Sequence, residues 1–315
     1  MTFAKIVSTG SYLPEKILSN ADLEEKVRTT NEWIIQRTGI RRRRIASKEE
    51  TASAMGIAAA SIALKSADLQ PKDIEAVIVA TCTHHQIFPS TACLIQEALD
   101  IPDCMAFDIQ AACGGFLYAL SIATQYLENH QVQRILIVGT ETMSCVVDWQ
   151  ERSTCVLFGD GAGAVILENS ETPGILNVQL SANGQYKNLL YLNNAKMSKD
   201  SYIRMEGNPI FRLAVKYLSE IAIKVIENSH LIPNDIDWIV PHQANIRIIK
   251  ATAKKLGIPM GKVIVTIDEQ ANTSSASIPI ALDVAIRDGD ILRGQYLLLE
   301  AFGGGLTWGA ALVRF

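Results

Sequence analysis

Leu69-Gln70-Pro71-Lys72-Asp73-Ile74-Glu75 returns further along the chain as Leu231-Ile232-Pro233-Asn234-Asp235-Ile236-Asp237, with the two prolines 233 − 71 = 162 positions apart. Each copy follows a helical pattern, Thr51–Ala67 in the first and Phe211–Asn228 in the second. Each precedes a short apolar strand, Ala76–Thr81 and Trp238–Val240. Tyr296–Glu300 stands the same 162 positions after Arg134–Val138, again as one apolar strand after another, and Gly309–Val313 (GAALV) echoes Gly161–Val165 (GAGAV). Similarity at a fixed offset marks an internal duplication. Strands that alternate with helices predict an α/β fold in which sheets are sandwiched by helices. The expected division is a first half over residues 1–170 and a second over 171–315.

Bulk properties narrow the function classes. The chain has 315 residues, 48% of them apolar and 20% charged, which predicts a sizeable core rather than disorder. A net charge of −4 argues against a general nucleic-acid binder. The start, MTFAKIVSTGSYLP, lacks the basic region and long apolar core of a signal peptide. No apolar run reaches the ~18 residues of a membrane span. Cysteines at 82, 93, 104, 113, 145 and 155 have no paired short spacing, which fits reduced thiols in the cytoplasm better than a disulfide framework.

One of these cysteines stands at a break between two patterns. Met105–Ile109 reads as a strand. After Gly114-Gly115, the residues Phe116, Ala119, Leu120, Ala123 and Leu127 form a helical stripe. Cys113 sits between them, flanked by Ala111, Ala112, Gly114 and Gly115, which leave room for a second reactant. A helix N-terminus favours a thiolate, so Cys113 is a candidate nucleophile. A small core residue at a tight turn is the other reading of this stretch.

In the second half the corresponding stretch is Val265–Ser277. Matching Gln270-Ala271-Asn272 to Gln110-Ala111-Ala112-Cys113 places Asn272 opposite Cys113 across a pseudo-twofold axis. His242 follows the strand Trp238–Val240 and is expected to start a helix. That helix carries an apolar stripe (Ile246, Ile249, Ala253, Leu256) and a basic one (Arg247, Lys250, Lys254, Lys255). A cationic face on an acidic protein suits an acidic partner.

Three other signals are read conservatively. Arg41–Arg44 is taken as a solvated segment beside a strand. Gly159, Gly161 and Gly163 precede a strand instead of opening a helix, which speaks for close backbone approach and against dinucleotide binding. Cys82, His84, His85 and Cys93 lack the paired spacing of a structural zinc site, so no metal is expected.

Ala112-Cys113-Gly114-Gly115-Phe116, Val240-Pro241-His242-Gln243-Ala244-Asn245 and Asn272-Thr273-Ser274 resemble the three active-site motifs of β-ketoacyl-acyl-carrier-protein synthase III. Phe158-Gly159-Asp160-Gly161-Ala162-Gly163-Ala164 and the ending Glu300 to Gly309 (EAFGGGLTWG) resemble further motifs of that family, and the likeness is collinear from Gly10-Ser11-Tyr12-Leu13-Pro14 to the last residue. It implies a thiolase-like α-β-α-β-α sandwich of two related halves, the first carrying the nucleophilic cysteine and the second the histidine and asparagine. It also implies a decarboxylative condensation of an acyl-CoA primer, most simply acetyl-CoA, with malonyl-acyl carrier protein.

In that chemistry Cys113 takes the acyl group as a thioester, and His242 and Asn272 donate to the enolate oxygen left by loss of CO2. The backbone N–H groups of Cys113 and Gly304 form the second oxyanion site. By the same resemblance Trp33 and Arg37 hold the adenine of coenzyme A between indole and guanidinium, with Arg152, Gly207, Phe211 and Asn245 along the rest of its path. The carrier protein docks at Gln243, Ala244, Asn245, Ile246 and Arg247. The resemblance further implies a cytoplasmic homodimer in which Phe88 reaches the partner's acyl pocket, with no cofactor beyond the coenzyme A thioester.

Gly114 and Ala271 depart from the commoner Ala and Gly of the family and leave primer preference open. A specialised relative that condenses another acyl group for secondary metabolism is one alternative. A non-catalytic acyl- or coenzyme A-binding relative is the other, and the joint presence of Cys113, His242 and Asn272 speaks against it.

Overall fold

The computed structural model describes residues 2–194, 198 and 200–315. A first mixed sheet is built from β1 (Phe3–Tyr12), β2 (Ala76–Ala80), β3 (Met105–Ile109), β4 (Arg134–Thr142) and β5 (Asp160–Ser170), in the spatial order β1-β5-β4-β2-β3. A second is built from β6 (Ile175–Ala182), β7 (Trp238–Pro241), β8 (Tyr296–Gly303) and β9 (Thr307–Arg314), in the order β7-β8-β9-β6. β2 runs parallel to both β3 and β4, and β7 runs parallel to β8; β1, β5 and β9 pair antiparallel with their neighbours.

The main helices are α1 (Asn31–Thr38), α2 (Ala52–Ser66), α3 (Thr91–Ala98), α4 (Gly115–Glu128), α5 (Gly207–Asn228), α6 (Ile246–Leu256) and α7 (Ser277–Arg287). They make three layers around the two sheets. Met55 and Ala59 of α2 and Ile95 of α3 pack on Val77, Val79, Leu136 and Ile166, one face of the first sheet. Phe116 and Leu120 of α4, with Ile278 and Leu282 of α7, fill the space between the sheets, against Ile78 and Ile137 on one side and Leu297, Leu299 and Val313 on the other. Ala222 and Val225 of α5 and Ile249 and Ala253 of α6 cover the outer face of the second sheet through Ile239, Leu298 and Leu312. The expected α-β-α-β-α order is therefore present. Strands buried on both faces read as unbroken apolar runs, as Leu297-Leu298-Leu299 does, with alternate side chains entering different layers.

The duplication holds in the fold at the same offset. A 3-10 turn over Ala112–Gly114 leads into α4, and one over Ser274–Ala276, 162 residues on, leads into α7. This register corrects the expected pairing of the two loops. Ser275, and not Asn272, stands in the place of Cys113, and Asn272 corresponds to Gln110. The strand corresponding to β3 has shrunk to a single parallel bridge, Ile239 to Val263. The chain ahead of the second turn is thereby freed to form the short helix Ile267–Gln270 and to cross to the first half.

The arginine run also differs from its reading as a solvated segment. Arg42–Arg44 is a short strand, and Arg43 is fully buried. Its guanidinium donates to the Leu18 carbonyl, the Asn20 side-chain oxygen and the Val156 carbonyl, which replace its lost hydration.

Candidate active site

The strand ends of both halves converge on one cavity of about 970 Å³. Cys113 reaches it from the turn after β3, His242 from the loop after β7, and Asn272 from the crossing segment of the second half.

Cys113 owes its position to backbone geometry. Ala112 is held at φ 46, in the left-handed region, which turns the chain sharply from β3 into α4. The turn closes with the Gly114 N–H on the Ala111 carbonyl at 3.0 Å, and the Thr307 hydroxyl donates to that same carbonyl at 3.0 Å. Gly303 abuts Cys113, since a Cβ there would stand 2.7 Å from the Cys113 nitrogen. Only glycine lets the end of β8 come this close, and it brings Gly304 into the cavity wall beside the thiol.

Burial pushes the Cys113 thiol up to about 12, the nearby Glu141 carboxylate adds to the shift, and the Ser274 hydroxyl opposes it. The expectation that the helix start favours a thiolate is thus outweighed by desolvation, and the resting group is a neutral thiol.

His242 lies in a loop and does not start the helix. Its N–H donates to the Glu300 carbonyl at 2.7 Å, and α6 begins only at Ile246, where the Asn245 side-chain oxygen accepts from Arg247 N–H at 2.9 Å. Both ring nitrogens are buried and find no hydrogen-bond partner among the described residues. Burial pulls the imidazole down to about 3, so at neutral pH it is uncharged and carries one N–H donor.

Asn272 is pinned by the first half. Its N–H donates to the Leu157 carbonyl at 2.9 Å, its carbonyl accepts from Gly159 N–H at 3.0 Å, and its side-chain oxygen accepts from Ser274 N–H at 2.9 Å. The oxygen being committed, Nδ2 is the end of the amide left to donate.

Trp33, Arg37, Gly207, Phe211 and Asn245 line the same cavity, as do Ala244, Arg247 and Gly304. Arg152, Gln243, Ile246 and Phe88 do not. The guanidinium over the Trp33 indole is that of Arg152, 4.6 Å from the ring centroid, and not that of Arg37; Arg152 also donates to the Arg28 carbonyl at 3.0 Å. Arg247 stands 5.2 Å from the Phe211 ring centroid.

Gln243 corrects the expected docking surface. It is fully buried, donates to the Pro241 and Ile264 carbonyls and accepts from Thr266 N–H, so its side chain braces the His242 loop and presents nothing to a protein partner. Arg247, Lys250, Lys254 and Lys255 are exposed on α6. Phe88 is 83% exposed on the loop after β2. Cys82 donates to the Glu141 carboxylate, and the Ser90 hydroxyl donates to Cys93, which ties both thiols to protein groups.

Two acidic residues were not singled out from sequence. Glu141 is fully buried and accepts from the hydroxyls of Thr81, Thr83 and Ser275 and from Cys82. Glu300 is 2% exposed and lines the cavity. An acidic residue inside an otherwise apolar strand, Leu297 to Phe302, is the signal that could have found it.

A duplicated five-layer sandwich, with a buried thiol, a neutral imidazole and a fixed carboxamide sharing one cavity, is the architecture of a thiolase-like condensing enzyme. The chain belongs to the β-ketoacyl-acyl-carrier-protein synthase III family, whose members are acyltransferase-type condensing enzymes. The family model described as 3-oxoacyl-[acyl-carrier-protein (ACP)] synthase III matches residues 107–184, and its C-terminal companion matches residues 226–315.

A β-ketoacyl-[acyl-carrier-protein] synthase III of Methylococcus capsulatus is 53% identical over 318 residues, covering 99% of each chain. The crystal structure of 3-oxoacyl-[acyl-carrier-protein] synthase III from Aquifex aeolicus is 48% identical, with a TM-score of 0.96 over 99% of this chain and 100% of that one. The priming β-ketosynthase of the R1128 polyketide pathway is 36% identical, with a TM-score of 0.96 over 99% of this chain and 96% of that one. No helix among the described residues is long and apolar enough to cross a membrane.

Proposed function

We propose that this protein joins an acyl-CoA primer, acetyl-CoA in the simplest case, to malonyl-acyl carrier protein, releasing CO2 and coenzyme A and forming 3-oxoacyl-acyl carrier protein. With acetyl-CoA the product is acetoacetyl-acyl carrier protein, the first condensation of fatty acid synthesis. The observation that carries this reading is the convergence of Cys113, His242 and Asn272 on one cavity that Trp33, Arg37 and Phe211 also line.

The Cys113 sulfur attacks the thioester carbonyl of the primer, its proton leaves with coenzyme A as a thiol, and an acyl-Cys113 thioester remains. Because the resting thiol is neutral, that proton must move as the S–C bond forms. The backbone N–H groups of Cys113 and Gly304 receive the tetrahedral oxyanion. Malonyl-acyl carrier protein then binds. Neutral His242 and the Asn272 amide donate to its thioester oxygen, which lowers the cost of the enolate formed as CO2 departs. The enolate carbon attacks acyl-Cys113 and expels the cysteine sulfur as a thiolate, which takes one proton from solvent and returns to the neutral resting thiol.

Trp33, stacked by Arg152, and Arg37 hold the nucleotide end of coenzyme A, with Gly207, Phe211 and Asn245 along the pantetheine. The exposed basic face of α6, led by Arg247, receives the acidic carrier protein, with Ala244, Asn245 and Ile246 beside it. The working unit is a cytoplasmic homodimer in which Phe88 enters the partner's acyl pocket. Residues 1–170 and 171–315 act as its two related halves, and a coenzyme A thioester is the only small molecule required.

The test is mass spectrometry of the protein after incubation with a panel of acyl-CoAs. An acyl adduct on Cys113, discharged by malonyl-acyl carrier protein, is expected, and its absence for every primer would overturn the reading. The likeness to a priming β-ketosynthase of a polyketide pathway favours a second reading, use of an acyl primer other than acetyl-CoA in secondary metabolism. Preferential labelling by such a primer over acetyl-CoA would establish it.

A further inference from the structure

Three buried polar atoms in the wall of the active-site cavity have no hydrogen-bond partner among the described residues: Nδ1 and Nε2 of His242 and Oε2 of Glu300. They belong to neighbouring strand ends. Pro241 of β7 pairs with Glu300 of β8, and the His242 N–H closes on the Glu300 carbonyl at 2.7 Å. A substrate oxygen can satisfy one nitrogen of the imidazole. The other nitrogen and the carboxyl oxygen still need partners, because an unpaired buried polar group costs about 1–3 kcal/mol. Three polar atoms in a wall with cavity space are what an ordered bridging water requires.

We propose that Glu300 is a positioning residue for the condensation, whose carboxyl group holds the His242 ring through a bridging water so that its N–H points at the substrate oxygen. The inference rests on the function proposed above. No proton is transferred and no bond is made by Glu300; it fixes the orientation of a donor.

The surroundings suit a carboxyl group that stays uncharged. No cation pairs with it among the described residues. β7 brings no titratable side chain before His242, and β9 sets Ala310 across from it. α5 and α6 turn Ala214, Leu218 and Ile249 toward the cavity. Their charged residues, Arg212, Lys216, Glu220, Lys224 and Glu227 on α5 and Arg247, Lys250, Lys254 and Lys255 on α6, are exposed, and Tyr217 is stacked on Trp308. Burial pushes the carboxyl up to about 8. Below that pH it can donate an O–H, and above it a negative charge is placed beside both the imidazole and the anionic substrate.

The experiment compares wild type with Glu300→Gln and Glu300→Ala in two separate steps. One is acylation of Cys113 by acyl-CoA; the other is discharge of preformed acyl-enzyme by malonyl-acyl carrier protein, followed from about pH 6 to about pH 9.5. The wild-type discharge rate should fall as pH rises through about 8. Glu300→Gln, neutral and still a donor, should keep discharge within about threefold and lose that alkaline fall, while Glu300→Ala should lose about tenfold or more in kcat at every pH. Acylation should proceed in all three, which also reports folding.

Discharge by Glu300→Gln that is as slow as by Glu300→Ala, an unchanged alkaline fall in Glu300→Gln, or an undiminished rate in Glu300→Ala would each overturn the proposal. So would loss of acylation in either variant, since Glu300 would then be needed for the fold or the first step. Failure of the wild-type protein to acylate at all would instead overturn the function on which it rests.

Discussion

The turns before α4 and α7 are two copies of one device with opposite polarity of purpose. Each follows a β-position of its half, each passes through a residue with positive φ (Ala112 at 46, Ser274 at 51), and each starts a helix that packs between the sheets. In the first, the next residue is Cys113, which enters the cavity. In the second it is Ser275, whose hydroxyl is buried against the Ala80 carbonyl and the Glu141 carboxylate. The second half reaches the cavity earlier, at Asn272, and from the neighbouring loop, at His242. A duplicated scaffold thus offers equivalent anchor points, and the cavity is lined from non-equivalent ones. The Cys113 thiol and the polar groups of His242 and Asn272 approach from different halves because the positions filled with polar groups are out of register.

This contrast can be broken experimentally. The largest expected effect belongs to Cys113. Cys113→Ser should reduce acyl transfer by at least about a thousandfold, whereas Ser275→Cys should gain no acyl adduct, because its side chain faces Glu141 and not the cavity. Mass spectrometry of both variants reads this directly, and an adduct at position 275 would erase the distinction between the turns.

Next comes Asn272→Ala. It should lower the condensation rate by about 10²–10³, the range for loss of one oxyanion donor, while Cys113 acylation persists in single-turnover assays. A smaller effect belongs to the buried copy of the turn. Ser275→Ala removes a donor to the Glu141 carboxylate and should cost about 1–3 kcal/mol in denaturant unfolding without abolishing acylation.

The smallest is a pH effect on stability. His242 stands at the offset position of Ala80, so only the second half carries a titrating group there. Its folded pKa of about 3 lies below the ordinary 6.5. The unfolded chain therefore binds the extra proton, and the stability associated with neutral His242 is present above 6.5 and lost as pH falls toward 3. Between about pH 6.5 and 5.5, wild type should lose stability relative to His242→Asn by at most about 1.4 kcal/mol per pH unit. Equal slopes would show that the ring is not buried as described.

The features legible in the sequence are those encoded locally. The apolar strands, the glycine turns and the 162-residue offset each sit within a short window, and the offset fixed the two-sheet architecture. Cys113, His242 and Asn272 were readable because each marks a pattern break. What eluded sequence reading depends on partners distant along the chain. Arg43 is buried because Val156 and Leu18 offer carbonyls. Gln243 is internal because Ile264 and Thr266 complete its hydrogen bonds. Arg152, not Arg37, lies over Trp33 because the segment after β4 folds back onto α1. The misplaced pairing of Asn272 with Cys113 came from matching one glutamine to another across a stretch where β3 has a full strand and its counterpart a single bridge.

Asn272 takes its backbone hydrogen bonds from Leu157 and Gly159, so a piece of each half is, at that point, one structure. This limits modular engineering. A chimera that joined one protein's 1–170 to another's 171–315 would preserve both sheets, yet it would have to match residues 157–159 to residues 270–273 before the amide came to rest in the right place. Recombination is best planned around that seam, carrying the 157–159 segment along with the second half.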